Sequence, residues 1–142
     1  MLKNFYLQRY CIILLCLLSF SCAQQKVFFV AGTVELQNAH VLPSNSIIEI
    51  VLADVSLADA PRRVITKKTI NNATELPIHF SIEYDPLVIL PGHSYALSAR
   101  IESINGKLLW INDVRYSVLN TKNMSLSPPE NKFTKMILKK VN

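Results

Sequence analysis

The chain has 142 residues, half of them hydrophobic, and a formal net charge of +5 at pH 7. That length suits one domain behind an export segment, and a domain of this size buries enough apolar surface to fold without disulfides. The basic residues are scattered and no aromatic residues are interleaved with them. The sequence therefore lacks the pattern that is typical of a nucleic-acid-binding surface.

The first element in chain order is the apolar run CIILLCLLSF, which follows Lys3 and Arg9. A basic start, an apolar core of roughly ten residues and small residues at its exit are typical of a secretory signal peptide. The run is also shorter than the roughly 20 residues that a membrane-spanning helix needs. We therefore predict a signal peptide over residues 1–21, a short anchor linker over 22–26 and one folded domain over 27–142.

Two cleavage sites are compatible with this segment. If SFSC is a lipobox, cleavage before Cys22 leaves a terminal cysteine whose sulfur carries a diacylglycerol anchor, although Ser19 stands where an aliphatic residue is usual. Cleavage between Ala23 and Gln24 would instead leave a soluble protein without a thiol. No cysteine follows Cys22, and a single cysteine at a new terminus indicates a special role. We predict lipidation of Cys22, with membrane lipid as its first partner.

The rest of the chain alternates apolar and polar residues with the period of two that is typical of half-buried strands. Pro, Gly and Asn interrupt this alternation at intervals of roughly 8–12 residues. We therefore predict an all-β domain, a single antiparallel β-sandwich of about seven or eight short strands, immunoglobulin- or transthyretin-like. The inward positions are predicted to be Phe28, Val30, Gly32, Val34 and Leu36; Ile48, Ile50 and Leu52; Ile78, Phe80, Ile82 and Tyr84; and Tyr95, Leu97, Ala99 and Ile101.

The last predicted strand, FTKMILKKV, belongs to a lysine-rich stretch that contains Lys122, Lys132, Lys135, Lys139 and Lys140. Lysines on an edge strand block the addition of another strand, so we predict that this strand is a solvated sheet edge. A contact with a membrane surface or with a partner is the alternative. Trp110, between Leu109 and Ile111, is predicted to be a core residue.

One polar segment, DVSLADAP, could be mistaken for a metal-binding loop because it contains Asp54 and Asp59. Calcium takes six to eight oxygen ligands, and two carboxylates five residues apart supply too few. We interpret Asp54, Ser56, Asp59 and Pro61 as a turn in which the Asp and Ser side chains accept backbone N–H groups.

A second segment contains two turn signals, Asp85-Pro86 and Pro91-Gly92. Proline ends a strand because it lacks the N–H that the ladder needs. We predict a corner between two strands here, with Tyr95 buried beside it. His93 follows this turn, and a binding role for it is the minor alternative.

Nothing in the sequence has the spacing of a catalytic, metal or cofactor site. His40, His79 and His93 lack metal-type spacing, no serine has the glycine context of a nucleophile elbow, and three glycines in all leave no phosphate loop. We predict no enzyme activity, no cofactor and no small-molecule substrate, and we expect His79 on a solvent face.

Four segments together carry a family resemblance: GTVELQ, LADVSLADAP, IEYDP and PGHSYALSARIE. In this combination, over residues 27–141, the chain resembles the YbaY-like lipoproteins, a family grouped with the YscW pilot lipoproteins of type III secretion. The resemblance implies an exported, usually lipidated β-sandwich. Its motif places turn and core positions at Asp54, Ser56, Asp59, Pro61, Tyr84, Asp85, Pro86, Pro91, Gly92, Tyr95 and Arg100.

The resemblance leads to one main functional expectation and two alternatives. We expect an envelope lipoprotein, at the outer membrane and facing the periplasm, whose sandwich binds or stabilises another envelope protein. The pilot branch of the family binds a secretin subunit and helps it to assemble in the outer membrane, so a secretin pilot is the first alternative. The second is a soluble periplasmic module with a polar-lined ligand cavity between its sheets.

Overall fold

The computed structural model describes residues 27–119, 121 and 133–141. The predicted signal peptide, the linker and Cys22 lie outside these residues. In the described part of the chain, no helix has both the length and the apolar character that crossing a bilayer requires.

Among the described residues, eight strands make up nearly all of the regular structure, and a short 3₁₀ turn, Pro86–Val88, precedes the fifth. The strands are β1 (Phe28–Leu36), β2 (Ile47–Asp54), β3 (Arg63–Asn71), β4 (Ile78–Tyr84), β5 (Tyr95–Glu102), β6 (Leu108–Ile111), β7 (Tyr116–Val118) and β8 (Thr134–Lys140).

The strands form one continuous sheet in the order β3-β2-β5-β6-β8-β1-β4, and β7 pairs with β5 beside β6. The two edge strands, β3 and β4, approach each other, and the Lys68 ammonium on β3 donates a hydrogen bond to the Ser81 carbonyl on β4 at 2.8 Å. The sheet is therefore nearly closed and barrel-like. The all-β prediction with about eight strands is confirmed, but its description as an antiparallel sandwich is not, because the sheet is continuous and β1 and β8 run parallel.

The position of β8 contradicts the prediction that the last strand is a sheet edge. β8 pairs with β1 on one side and with β6 on the other, so it lies inside the sheet and the real edges are β3 and β4. Two of its lysines have partners outside β8: Lys135 lies 2.9 Å from Glu35 on β1, and Lys139 contacts Asp113 in the loop after β6. Lys122 and Lys132 lie outside the described residues.

Gly32 lets β1 and β8 approach each other closely. A Cβ added there would lie 2.0 Å from the Thr134 carbonyl oxygen and 2.9 Å from the Phe80 ring. Gly32 faces inward, as the alternation predicts, and its small size is what brings the parallel partner strand into place.

The core lies inside the nearly closed sheet and consists of apolar side chains from its strands. All predicted inward positions except Phe28, which is half-buried, have little or no exposure. Trp110 is 6% exposed and joins this core, as predicted, while His79 is exposed, also as predicted. The strand β3 departs from simple alternation, because a β-bulge between Leu52 and Ala53 shifts the register and turns Val64 outward.

The hairpin between β5 and β6 turns at Asn105 and Gly106, and its loop is longer than two residues. Ser103 N–H bonds the Lys107 carbonyl at 2.9 Å, and Gly106 N–H bonds the Ser103 carbonyl at 2.9 Å. Gly106 has φ 78°, a left-handed value that glycine adopts without cost. This is the three-residue loop in which a glycine bulge follows a tight turn.

Candidate functional site

The motif residues Asp54 and Ser56 join the end of β2 to the start of β5. The Asp54 carboxylate accepts the Ser56 backbone N–H at 3.0 Å and also the Ser56 hydroxyl. The Ser56 oxygen in turn accepts the Ser94 N–H at 2.9 Å, and Val55 N–H donates to the Ser94 carbonyl at 2.8 Å. The predicted acceptance of backbone N–H groups by the Asp54 and Ser56 side chains is present, whereas Asp59 and Pro61 take no part in these hydrogen bonds.

The sequence did not predict that His93 joins this turn. His93 Nδ1 lies 2.7 Å from the second oxygen of Asp54, and the His93 ring stacks on Tyr95 with centroids 6.5 Å apart. Thr121 donates its hydroxyl proton to the His93 carbonyl, and an Arg63 guanidinium nitrogen lies 3.6 Å from the same Asp54 oxygen. We call Asp54, Ser56, Arg63, His93 and Thr121 the Asp54 cluster.

The electrostatics of the cluster keep Asp54 ionised. Burial by itself raises the pKa of Asp54, whose side chain is 8% exposed, because a charged form is disfavoured away from water. Hydrogen bonds from Ser56 and His93 outweigh burial and lower the pKa from 3.8 to about 2. The Ser56 hydroxyl donates to the carboxylate rather than to the imidazole, so the trio lacks the nucleophile-to-base hydrogen bond of a hydrolase. The cluster therefore links the end of β2 to the residues just before β5, and we call this link the clasp.

The predicted corner lies at the same end of the sheet. Asp85 caps the 3₁₀ turn by accepting the Leu87 N–H at 2.9 Å, Pro86 occupies the first turn position, and Gly92 has φ 77°. The Tyr95 hydroxyl, buried as predicted, accepts the Leu90 N–H at 2.8 Å. This end of the sheet is therefore closed by a loop whose backbone is bonded to core side chains.

The remaining family positions take no part in the hydrogen bonds that Asp85 and Tyr95 make at this corner. Tyr84 is buried against Phe28, with ring centroids 6.1 Å apart, and burial raises the pKa of its phenol. Asp59 and Pro61 are exposed, and Pro91, which precedes Gly92, is also exposed. Within the described part of the chain, no group of three His, Cys, Asp or Glu side chains is placed to share a metal ion.

Arg100 belongs instead to a groove on the outer face of β2, β5 and β6, which we call the outer groove. Its volume is about 200 Å³. It is lined by Glu49, Val51, Arg62, Ser98, Ala99, Arg100, Ile111 and Asn112.

Paired charges form much of the wall of the outer groove. Glu49 and Arg100 are direct cross-strand neighbours, and their side chains lie 3.1 Å apart. Lys67 approaches Glu49 at 3.7 Å, Glu102 lies 3.3 Å from Arg100, and Arg62 donates to the Ser98 hydroxyl at 2.6 Å. One or both members of each of these pairs are partly exposed to solvent, so each pair contributes little to stability.

Apolar side chains provide the rest of the groove. Val51 points to the outer face of β2 but is only 5% exposed, whereas Ile111 on β6 is 40% exposed. An apolar floor with a charged wall fits a polypeptide segment that has one apolar and one polar side.

Sequence reasoning named Arg100 only as a family turn or core position, whereas its side chain is 48% exposed in mid-strand, and it missed Arg62, Ile111 and the contact of Glu49 with Arg100. The opposite charges of Glu49 and Arg100 are visible in the sequence, yet only the pairing of β2 with β5 makes them neighbours. That pairing joins residues about 50 positions apart, and alternation alone does not specify which strands pair.

The comparisons with known proteins agree with this architecture. Residues 25–127 match the family described as type III secretion system lipoprotein chaperone (YscW). The chain is also 34% identical over 92 residues to a protein of Escherichia coli (strain K12) named uncharacterized lipoprotein YbaY, an alignment that covers 64% of this chain and 48% of that protein. The chain thus spans about half the length of this relative.

A solved structure of a secretion-system protein is also similar to this chain. An alternative pilotin from the type II secretion system of Vibrio cholerae is similar with a TM-score of 0.70 and 36% sequence identity, covering 82% of this chain and 99% of the pilotin chain. The resemblance drawn from the sequence motifs is therefore confirmed. Because the family match spans well over half of its residues, the chain belongs to the YscW family of type III secretion system lipoprotein chaperones.

Proposed function

We propose that this chain is a lipid-anchored chaperone that binds a secretin-type envelope protein through the outer groove and performs no catalysis. The observation that supports this function most is the similarity to the pilotin, with a TM-score of 0.70 and 36% sequence identity over 82% of this chain. The lipoprotein chaperone family to which the chain belongs supports the same function.

The chemistry of the outer groove suits a segment of a partner protein. Ile111 and Val51 offer an apolar strip, and Arg62, Arg100 and Glu49 offer charges at its side. A partner helix or strand with one apolar side would cover the strip, and its acidic residues would replace Glu49 beside Arg100. Desolvating Ile111, which is 40% exposed, would contribute to the binding energy.

The anchor in this proposal is the diacylglycerol on Cys22. Between Cys22 and the first described residue, Val27, the linker reaches at most about 18 Å, at roughly 3.3–3.6 Å per residue. The domain would therefore lie close to the membrane, with the start of β1 facing it. We place the protein at the outer membrane, facing the periplasm.

The second alternative, a soluble ligand module, needs a polar-lined cavity inside the domain. The inward positions are instead apolar, and Ile48, Ile50, Leu52, Met136 and Leu138 have no exposure. This filling favours a surface groove over an interior pocket as the binding site.

The anchor is tested by the mass of the mature N-terminus from a native membrane fraction. We expect a peptide that begins at Cys22 and carries two or three acyl chains. A free or pyroglutamyl terminus at Gln24 would overturn the lipid anchor.

The groove is tested by purifying the tagged full-length protein and its variants from native membranes and measuring the secretin subunit that is retained. We expect Ile111→Asp to reduce retention roughly tenfold or more, since burying an unpaired carboxylate in the contact is costly. Ile137→Asp is the matched control, because Ile137 is 43% exposed, close to the 40% of Ile111, and does not line the groove.

The two variants separate the groove from a general surface effect. The control should retain the secretin subunit as the unaltered protein does. Equal retention by both variants, or a preparation of the unaltered protein without any secretin subunit, would contradict the proposed function.

A further inference from the structure

Several large apolar side chains are exposed at the end of the sheet where β1 begins. They lie in two connecting segments: Leu57 between β2 and β3, and Leu87, Val88 and Leu90 between β4 and β5. Leu87 is 87% exposed and Leu57 is 74% exposed. Exposed apolar patches on a folded domain mark contacts with other proteins or with membranes. We call these four residues the apolar tip.

Hydrogen bonds connect the two segments that carry the apolar tip. The hydroxyl oxygen of Ser56, the residue before Leu57, accepts the Ser94 N–H at 2.9 Å. Arg63, at the start of β3, donates to the Val88 carbonyl at 3.3 Å. The tip is therefore presented by one connected structure and not by two independent loops.

The backbone of the segment between β4 and β5 is suited to an environment without water. Pro86 and Pro91 have no N–H. The other N–H groups from Leu87 to His93 all have acceptors within the protein: Leu87 and Val88 donate to Asp85, Ile89 to Pro86, Leu90 to Tyr95, Gly92 to Thr121 and His93 to Leu90. An unpaired N–H is costly where water cannot accept it. Complete pairing in a segment with such exposed apolar side chains therefore favours contact with lipid.

The point where the chain enters the domain places the apolar tip beside the membrane. Phe28 on β1 is paired with Tyr84, the last residue of β4, so the segment after Tyr84 lies next to the start of β1. Cys22 is at most about 18 Å from Val27. The inference that follows rests on the lipid anchor proposed above. With that anchor in the bilayer, Leu87 and its neighbours lie on the side of the domain that faces lipid.

Charge at this end does not call for an anionic partner. In the two segments and the strand ends beside them, Arg62 and Arg63 are offset by the carboxylates of Asp54, Asp59 and Asp85. The favourable contribution to membrane contact is therefore the burial of apolar surface. A bilayer of zwitterionic lipid is sufficient for it.

We propose that the apolar tip inserts into the surface of the lipid bilayer and, together with the acyl chains on Cys22, fixes the orientation of the domain on the membrane. Leu57 and Leu87 enter the boundary between headgroups and acyl chains, while the charged ends of Arg62 and Arg63 remain among the headgroups. Attachment at two points holds the outer groove at a constant height and angle above the bilayer.

Spin labels on single introduced cysteines test this contact. All cysteines of the chain lie at or before residue 22, so the acylated protein has no free thiol except the introduced one. The full-length precursor is expressed, processed by the cell and reconstituted in phosphatidylcholine vesicles with a label at Leu57→Cys or Leu87→Cys. Accessibility to oxygen and to a water-soluble nickel chelate, measured by electron paramagnetic resonance, gives the depth of each label. We expect a depth of roughly 5–10 Å, as for the apolar faces of interfacial segments.

Two positions at the opposite end of the sheet are the matched controls. Val41 is 74% exposed, as Leu57 is, and Ile104 is 68% exposed. Labels at Val41→Cys and Ile104→Cys should stay in water. Adding Leu87→Asp should move the Leu57 label out of the lipid, because a carboxylate is costly at an apolar boundary, whereas adding Ile104→Asp should leave that label in place.

Three results would overturn the proposal. Labels at the tip could be as accessible to the nickel chelate as the controls, which would place the tip in water. They could lose accessibility to both reagents, which would mean that another protein covers the tip. They could show dipolar broadening, which would mean that a second copy of this chain covers it.

The mass of the N-terminus, measured on the same sample, separates this inference from the proposed function. A start at Gln24 would remove the anchor and this inference with it. Labels in water on a protein acylated at Cys22 would overturn the inference alone and leave the anchor and the secretin contact intact.

Discussion

Asp54 is the residue whose environment departs most from what its place in a turn would indicate. It ends a strand, its side chain is 8% exposed, and its carboxylate is bonded by Ser56 and His93. A buried charge is tolerated only when its partners compensate for the lost water. The clasp therefore holds β2, β5 and the loop that contains His93 in one arrangement.

The lowered pKa gives a prediction about stability and pH. The folded-state pKa of about 2 lies below the ordinary 3.8, so ionised Asp54 stabilises the fold at pH values above about 4, and this contribution is lost as the pH falls from about 4 through about 2. At neutral pH, Asp54→Asn should lower the free energy of unfolding by about 2 kcal/mol. Urea unfolding followed by Trp110 fluorescence measures the difference.

Repeating the urea unfolding of both proteins at a series of lower pH values supplies the control for this substitution. The difference between the unaltered protein and Asp54→Asn should shrink as the pH is lowered through that window. A difference that stays constant down to pH values near 2 would show that packing, and not the carboxylate charge, produces the effect.

At the scale of elements, the two edge strands β3 and β4 approach each other along a line that we call the seam, and the seam lacks the backbone pairing of the other strands. Both strands are sheet edges, and an open edge is a template for pairing with another chain. Lys68 is directly opposite Ile50, which has no exposure, so its stem lies on the inner face of β3 and its ammonium reaches Ser81 across the seam. An inward-pointing charge on an edge strand discourages strand addition.

Removing that charge should therefore change the association of the protein more than its stability. We expect Lys68→Thr to form a concentration-dependent dimer or larger assembly by light scattering coupled to size-exclusion chromatography. Its free energy of unfolding should fall by less than about 1 kcal/mol, as for one exposed hydrogen bond.

Lys67→Thr is the matched control on the same strand. Lys67 lies on the outer face of β3, where it approaches Glu49 at 3.7 Å, so its removal should leave the seam unchanged and the protein in the same association state as the unaltered protein. The role assigned to Lys68 is wrong if the two variants behave alike.

At the scale of the whole molecule, the last strand determines whether the sheet can close. β8 connects β6 to β1, and its Met136 and Leu138 side chains have no exposure. Deleting residues 134–142 would expose the flanks of two strands and remove buried side chains that each contribute about 2–5 kcal/mol. That loss approaches the whole stability of a domain, about 5–15 kcal/mol.

The truncated chain should therefore show no cooperative thermal unfolding by circular dichroism. A shorter deletion, residues 141–142, is the control and should leave the transition in place, because it removes one backbone hydrogen bond, from Val141 to Leu109. A cooperative transition without β8 would mean that the strand behaves as the dispensable edge that its lysines indicated.

The alternation of residues predicted the inner faces of β1, β2, β4 and β5, because a strand places successive side chains on opposite sides. It predicted the turn at Asp54 and Ser56 for a similar reason, since these side chains bond backbone groups within two residues. It failed where contacts join distant parts of the chain. His93 is 39 residues from Asp54, and no local pattern brings the two together.

The sequence by itself determined the all-β class, the apolar interior, the turns and the family, because each depends on residue order over short distances or on motifs. The tertiary structure decided which strands pair, that β8 lies between β1 and β6, and that Arg100 meets Glu49 in the outer groove. The physical reason is that backbone hydrogen bonds between strands are the same for every sequence. The pairing is selected only by how all the side chains pack together inside the closed sheet.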